Sequence, residues 1–320
     1  MIRVAINGYG RIGRVAHRVI LKSHKDTLEV AAINAGSSTD LTGWMYLLKY
    51  DTSYGVLPNS VSVMPNTDTS KPDFLGMLVI DGQEIPVYSQ KDPSLLPWKE
   101  KNIDVVIDAT GKLLTIEKAT PHLTAGAKAV VMSAPAKDDT PTYVLSINDK
   151  DYKGETIINN ASCTTNSITP VAKVIEEAFG IEKAMLTTIH GYTSDQKLLD
   201  GGHKDYRRAR AAAENIVPTS TGATKAAAKA LPSLKDKFSG LAIRVPVPVG
   251  SLSDLTFLLK KDVTKEEVNE ALAKAAEEKE FQGVLAVTTD PIVSSDIVGN
   301  AHSSIVDLSL TQVVGGNMVK

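Results

Sequence analysis

The stretch Val4-Ala5-Ile6-Asn7-Gly8-Tyr9-Gly10-Arg11-Ile12-Gly13-Arg14 decides the fold. Its first four residues form a short apolar run that suits a buried strand. After the glycines, Ile12, Val15, Ala16, Val19 and Ile20 recur at helical spacing through Arg11–Ser23. A second run, Val30–Asn34, completes a strand–helix–strand unit. Further runs at Val105–Asp108 and Ala129–Ser133 predict a doubly wound parallel sheet covered by helices. Between Asp51 and Pro97, the alternating runs Met77–Ile80 and Ile85–Tyr88 predict small antiparallel strands near a loop-rich edge.

Gly8, Gly10 and Gly13 stand as Gly-x-Gly-x-x-Gly between strand and helix. The first permits a tight turn, the second lets backbone approach a pyrophosphate, and the third allows close helix–strand packing. An ordinary tight turn has the same spacing, so the motif gains weight from its surroundings. Arg11 stands in the first helical turn, and Thr110–Gly111 closes a later strand with a small turn of the kind cofactors lie against. One expected feature is missing. A carboxylate roughly 20 residues beyond the glycines ordinarily binds the adenosine ribose diol, but here the strand ends Ile33–Asn34–Ala35–Gly36–Ser37–Ser38. Ser37 and Ser38 offer donors that a 2′-phosphate could use. Both NAD and NADP stay open at this point.

The chain has 320 residues, a size for two domains, and a net charge of −2, which argues against nucleic acid or an anionic membrane as partner. A single cysteine rules out an internal disulfide and points to a reducing cytoplasm. No metal-ligand spacing stands out, and no metal is expected.

From about Ser162 the pattern changes, so the expected domains are 1–162 and 163–320. The second half reads as helix Ser167–Phe179, a run Ala184–His190, a basic stretch Ser194–Ala213, strands Leu241–Pro248 and Ser253–Lys260, and a helix opened by the capping box Thr264–Glu267. A largely antiparallel sheet with helices on one face is predicted.

Cys163 lies in Ala161-Ser162-Cys163-Thr164-Thr165-Asn166, directly before an apolar helix. A lone cysteine is usually a small buried hydrophobe, but these polar neighbours make a poor core, and a helix N-terminus favours the thiolate. His190 ends the next strand-like run and could return beside the sulfur as its base.

In these residues and in several longer motifs the chain resembles the phosphorylating glyceraldehyde-3-phosphate dehydrogenase family. The resemblance is carried by NGYGRIGR at 7–14, SAPAK at 133–137, ASCTTN at 161–166, HGYTSDQ at 190–196, RRARAAAEN at 207–215, STGATKAAAK at 220–229 and RVPVP at 244–248. It implies a Rossmann-type first domain, an α+β catalytic domain and a cytoplasmic homotetramer. It implies that Cys163 attacks the aldehyde and that His190 is the base. Thr193, Arg244 and, less firmly placed, Arg208 match positions for the substrate phosphate. Ser162, Thr164, Thr221 and Gly222 match those for inorganic phosphate. Gly8, Arg11, Ile12, Lys91, Thr110 and Ser133 match cofactor positions, with Lys91 where Arg is common. Arg207 and Arg210 read equally well as a solvated or inter-subunit basic face.

Two departures from the family pattern carry consequences. Ala35 stands where NAD-preferring relatives carry Asp, and Gly201–Gly202 stands where they carry Leu-Pro in a loop lent by a neighbouring subunit. Both make room for a 2′-phosphate, so NADP or dual use is expected. Relatives also continue past Gly316–Lys320 into a further strand, a nicotinamide-orienting Asn and a C-terminal helix, from which a shortened sequence is expected here. A related enzyme acting on erythrose 4-phosphate, and a non-catalytic nucleotide- or RNA-binding relative, are the alternatives the motifs leave.

Overall fold

The computed structural model describes residues 1–320 and divides the chain into two compact units. The first comprises Met1–Thr142 with Lys153–Asn160; the second comprises Tyr143–Tyr152 with Ala161–Lys320.

The first unit is built on an eight-stranded sheet ordered Ile157–Asn159, Ala129–Met132, Val105–Asp108, Ile2–Asn7, Leu28–Asn34, Gln83–Tyr88, Phe74–Ile80, Val61–Pro65. The first six strands run parallel, and the last two add antiparallel. The predicted edge strands therefore extend the main sheet, because Gln83–Tyr88 pairs with Leu28–Asn34. Helices α1 (Arg11–Val19), α2 (Leu41–Lys49) and α3 (Ile116–Thr124) belong to this unit. Ile6, Ile33, Leu48 and Leu78 are buried together in one cluster, and Val106, Ala119, Val130 and Met132 in another. The first helix is shorter than its periodicity predicts, because Ile20–His24 loosens into a π-helical turn. The strand at Ala129 stops at Met132, one residue early.

Chain order reverses between Ile2–Asn7 and Val105–Asp108, where Asn7 and Asp108 are register partners. Open α/β sheets bind ligands beyond such a switch point. Gly8 and Thr110 follow directly from those two strands.

The second unit carries a six-stranded sheet ordered Val217–Ser220, Phe238–Val245, Ile181–Gly191, Ser251–Leu259, Met318–Val319, Val313–Val314. All pairs are antiparallel except the Ile181–Gly191/Phe238–Val245 pair. Helices α4 (Cys163–Phe179), α5 (Ala223–Ala230) and α6 (Lys265–Glu277) complete it. Val171 and Ile175 of α4 and Leu272 of α6 share a core with Phe257 and Leu259. The capping box at Thr264 and Glu267 forms in both directions. No helix is long and apolar enough to cross a membrane.

Candidate active site

Cys163 is the first residue of α4, and Ser162 caps the helix by accepting a hydrogen bond from the Thr165 amide at 3.1 Å. Thr165 is in turn tied through its hydroxyl to the Ala223 carbonyl at 3.2 Å. Ala161, directly before the cap, is buried and left-handed at φ +60°. That conformation is unfavourable for a residue with a Cβ and persists only where its surroundings enforce it. The sulfur is thus fixed at a helix N-terminus while the side chain remains exposed.

His190 reaches it from the strand Ile181–Gly191, with Nε2 3.4 Å from Sγ. Nδ1 lies 2.7 Å from the Gly191 carbonyl oxygen. When Nδ1 carries the proton and donates it there, Nε2 presents its lone pair to the thiol, the state a base needs. The parallel strand pairing makes His190 and Arg244 register partners. Arg244 Nη1 accordingly lies 2.9 Å from His190 Nδ1; as it can only donate, in that tautomer its hydrogen bond goes to the Gly191 carbonyl at 3.1 Å and not to the protonated Nδ1.

The electrostatics favour a thiolate. Desolvation is the largest single influence on Cys163 and works upward. The hydrogen bond and charge of His190, with hydrogen bonds from the Thr164 amide and hydroxyl, outweigh it and leave the pKa below that of an ordinary thiol. Arg244 is pushed the other way for a cation, first by desolvation and then by the charge of Arg208, with Cys163 and Asp195 opposing. Two guanidinium groups that repel each other, one of them half-buried, form a place prepared for an anion.

Arg208 is held by Asp195 Oδ2 at 2.7 Å, Thr219 Oγ1 at 2.9 Å and the Ser220 carbonyl at 3.2 Å, directly before Thr221–Gly222. Thr221 Oγ1 accepts from the Ala223 amide at 3.1 Å, and Gly222 is the N-cap residue of α5. Thr193 follows the His190 strand with its side chain exposed. Arg210 pairs with Asp200 at 2.9 Å where both are exposed, and Arg207 is exposed as well.

In the first unit, Gly8 has φ +92°, and a Cβ there would meet the Thr110 amide nitrogen at 2.8 Å. A Cβ on Gly13 would meet the Gly8 carbonyl at 2.2 Å, so the third glycine does serve close packing. Gly10, the N-cap residue of α1, has open space where a Cβ would lie. The helix has no side-chain cap and no acid in its first turn. The amides of Arg11 and Ile12 are therefore available to an anion, as a dinucleotide pyrophosphate requires. The Arg11 guanidinium is engaged elsewhere, paired with Asp51 and placed 5.3 Å over the Tyr54 ring. Thr110 is braced by its hydroxyl donating to Asp108 at 2.7 Å, Gly111 turns at φ +64°, and the Ser133 amide donates to the Asp108 carbonyl at 2.9 Å.

At the end of the second strand, Asn34 Oδ1 accepts from the Gln90 amide at 2.9 Å, and Ala35 is bonded through its amide to Tyr88. Ser38 Oγ accepts from Trp44 Nε1 at 3.0 Å, whereas Ser37 and Lys91 are exposed. The nearest carboxylate in sequence, Asp40, caps α2 by accepting from Gly43.

Residues 2–116 match the NAD binding domain of glyceraldehyde 3-phosphate dehydrogenase and residues 162–320 match its C-terminal domain. Glyceraldehyde-3-phosphate dehydrogenase 2 of Streptomyces avermitilis is 49% identical over 321 residues, covering all of this chain and 92% of the relative. The chain belongs to the glyceraldehyde-3-phosphate dehydrogenase family. The enzymes of Thermotoga maritima and Geobacillus stearothermophilus are 50% and 48% identical, each covering all of this chain and 92% and 91% of their own lengths.

Within this family framework the structure adds residues that sequence reading passed over. Asp195 bridges Arg208 and His203, whose Nε2 lies 3.3 Å from Asp195 Oδ1, and Asp205 accepts from Thr219 at 2.6 Å. Asp195 stands inside the HGYTSDQ motif, so an acid placed two residues after Thr193 was the available signal. The Gly191 carbonyl had none, since a backbone acceptor leaves no mark in sequence.

Proposed function

We propose that this chain oxidises glyceraldehyde 3-phosphate in the presence of inorganic phosphate to 1,3-bisphosphoglycerate, and catalyses the reverse. The observation that carries this reading is the Cys163 Sγ–His190 Nε2 contact at 3.4 Å on a helix N-terminus, beside the partly buried Arg244. The Cys163 thiolate adds to the aldehyde carbon, and the new oxyanion takes up a proton to give a hemithioacetal. His190 Nε2 then accepts that hydroxyl proton as the carbon is oxidised to the thioester. The nicotinamide cofactor, when bound, accepts the hydride. A phosphate oxygen attacks the thioester carbonyl, the carbon–sulfur bond breaks, and the acyl phosphate leaves with Cys163 restored as thiolate.

Arg244 and Thr193 would bind the substrate phosphate, with Arg208 braced by Asp195 for the same region. Ser162, Thr164, Thr221 and Gly222 would receive the attacking phosphate through hydroxyls and amides, donors that stabilise an oxyanion without a large net charge. The Gly8–Gly13 turn, Thr110, Gly111 and Ser133 would hold the cofactor.

Cofactor use by this chain is NADP or dual. Ala35 brings no carboxylate against a 2′-phosphate, Ser37 and Lys91 are exposed donors, and Gly201 and Gly202 are exposed and small. The working form is a cytoplasmic homotetramer. Met185, Leu241 and Leu252, from three adjacent strands of the second sheet, are 61%, 45% and 56% exposed, an apolar face suited to a second copy. The deciding assay follows acyl phosphate formation from glyceraldehyde 3-phosphate and phosphate with NAD and NADP in parallel. Failure with both refutes the reaction, and a kcat/KM for NAD far above that for NADP refutes the cofactor reading alone.

A further inference from the structure

The second strand of the first unit ends at Asn34, and the turn beyond it runs through Gly36 at φ +70° to Ser38, whose amide donates back to the Ala35 carbonyl at 3.4 Å. A dinucleotide-binding sheet reads the adenosine ribose at this turn, and in NAD-selective sites a carboxylate there accepts from the 2′-hydroxyl. A serine hydroxyl in its place has one hydrogen to donate and two lone pairs to accept with. Which of the two a ligand meets depends on what the neighbouring groups occupy.

At Ser38 the acceptor side is occupied. Trp44 Nε1 donates to Ser38 Oγ at 3.0 Å, and the Asp40 amide donates to the same oxygen at 3.5 Å. An indole N–H can only donate, so Ser38 is fixed as an acceptor toward Trp44. Ser38 is partly exposed, and its own hydrogen is the group left for a ligand. The indole is in turn held from the glycine turn. Tyr9, buried between Gly8 and Gly10, meets the Trp44 ring edge-on at 6.2 Å, and the Arg14 guanidinium lies 5.4 Å over that ring while donating to the Tyr9 carbonyl at 2.9 Å. The turn that receives the pyrophosphate therefore also sets the group that orients Ser38. Asp40, the nearest carboxylate in sequence, is drawn onto its own helix, where Oδ1 accepts from the Gly43 amide at 2.7 Å.

We propose that Trp44 is a specificity-determining positioning residue, which holds Ser38 Oγ as an acceptor and so leaves Ser38 only a hydrogen to offer, favouring an adenosine 2′-phosphate over the free 2′-hydroxyl. A hydrogen bond from Ser38 to a phosphate oxygen is charge-assisted and roughly twice as strong as one to a neutral hydroxyl. The hydrogens of the ribose diol, by contrast, find neither a carboxylate nor a free serine lone pair. The inference rests on the NADP reading of the cofactor and names the residue that imposes it.

The test is a calorimetric titration of the whole chain with adenosine 2′,5′-bisphosphate and, in parallel, with adenosine 5′-monophosphate, two probes that differ only in the 2′-phosphate and need no turnover. The wild type should bind the bisphosphate at least about tenfold more tightly, the worth of a charge-assisted hydrogen bond. Trp44→Phe keeps a ring against Tyr9 and Arg14 but removes the N–H, and should lower that preference about fivefold or more while affinity for the monophosphate does not fall. Ser38→Ala should lower it by a similar factor. Because Trp44 acts through Ser38, adding Trp44→Phe to Ser38→Ala should change the preference no further, a non-additivity that a loss of packing does not produce. A wild type without the preference overturns the NADP reading and this inference with it. A wild-type preference that Trp44→Phe leaves unchanged, whether both affinities hold or fall together, or a loss that persists in full on the Ser38→Ala background, overturns this inference alone.

Discussion

Two helix starts in this molecule follow the same outline and do opposite things. At α1 the chain turns through Gly8 at φ +92° and enters a helix with no side-chain cap. At α4 it turns through Ala161 at φ +60° and enters a helix capped by Ser162. The first leaves its amides free for a ligand's anion; the second closes part of its own terminus and places a sulfur there as the anion. The difference lies in what occupies the positive end of the helix. A glycine N-cap with open space around it makes a binding turn, and a serine N-cap followed by cysteine makes a nucleophile.

The comparison breaks most severely if the sulfur is removed. Cys163→Ser should lower phosphorylating oxidation by at least about 10³-fold, since the hydroxyl lacks a comparable thiolate. Cofactor affinity, measured by fluorescence titration, should change by less than about twofold, because the glycine turn is untouched. Next in size is His190→Asn, expected to lower kcat by roughly 10²–10³-fold. His190 and Thr164 together hold the Cys163 pKa down, so the wild-type thiolate should persist as pH falls until that lowered value is crossed. In the variant, iodoacetamide alkylation should decline at a higher pH. Coincident alkylation profiles would show that the pair is not coupled.

At the other helix start, Gly8→Ala should weaken cofactor binding by about tenfold, through the strain of a positive φ and the contact with Thr110. Ala35→Asp should shift the NAD/NADP ratio of kcat/KM toward NAD by about tenfold or more. An unmoved ratio would mean the adenosine ribose is read by other residues. The smallest effect is expected for Ser162→Ala, where loss of the cap costs about 1 kcal/mol and lowers the thermal midpoint by a few degrees.

Much of this contrast was legible in sequence because both turns are local. The glycine spacing, the polar run around Cys163 and the capping box at Thr264 each act within a few residues. What could not be read is non-local. Nothing near Gln83 says that its strand pairs with Leu28–Asn34, and nothing near Arg244 says that a parallel pairing sets it beside His190. The π-helical turn at Ile20 was hidden as well, since Val19 and Ile20 continue the apolar spacing that predicts an unbroken helix. The engagement of Arg11 by Asp51 spans 40 residues and took a charge expected at the phosphates elsewhere.

The most direct test of the account is intact-protein mass spectrometry after mixing the protein with glyceraldehyde 3-phosphate and oxidised cofactor in the absence of phosphate. The account predicts a single acyl adduct on Cys163 that disappears when inorganic phosphate is added, with acyl phosphate released in equal amount. Oxidation of the aldehyde with no adduct, or with an adduct on any other residue, would contradict it.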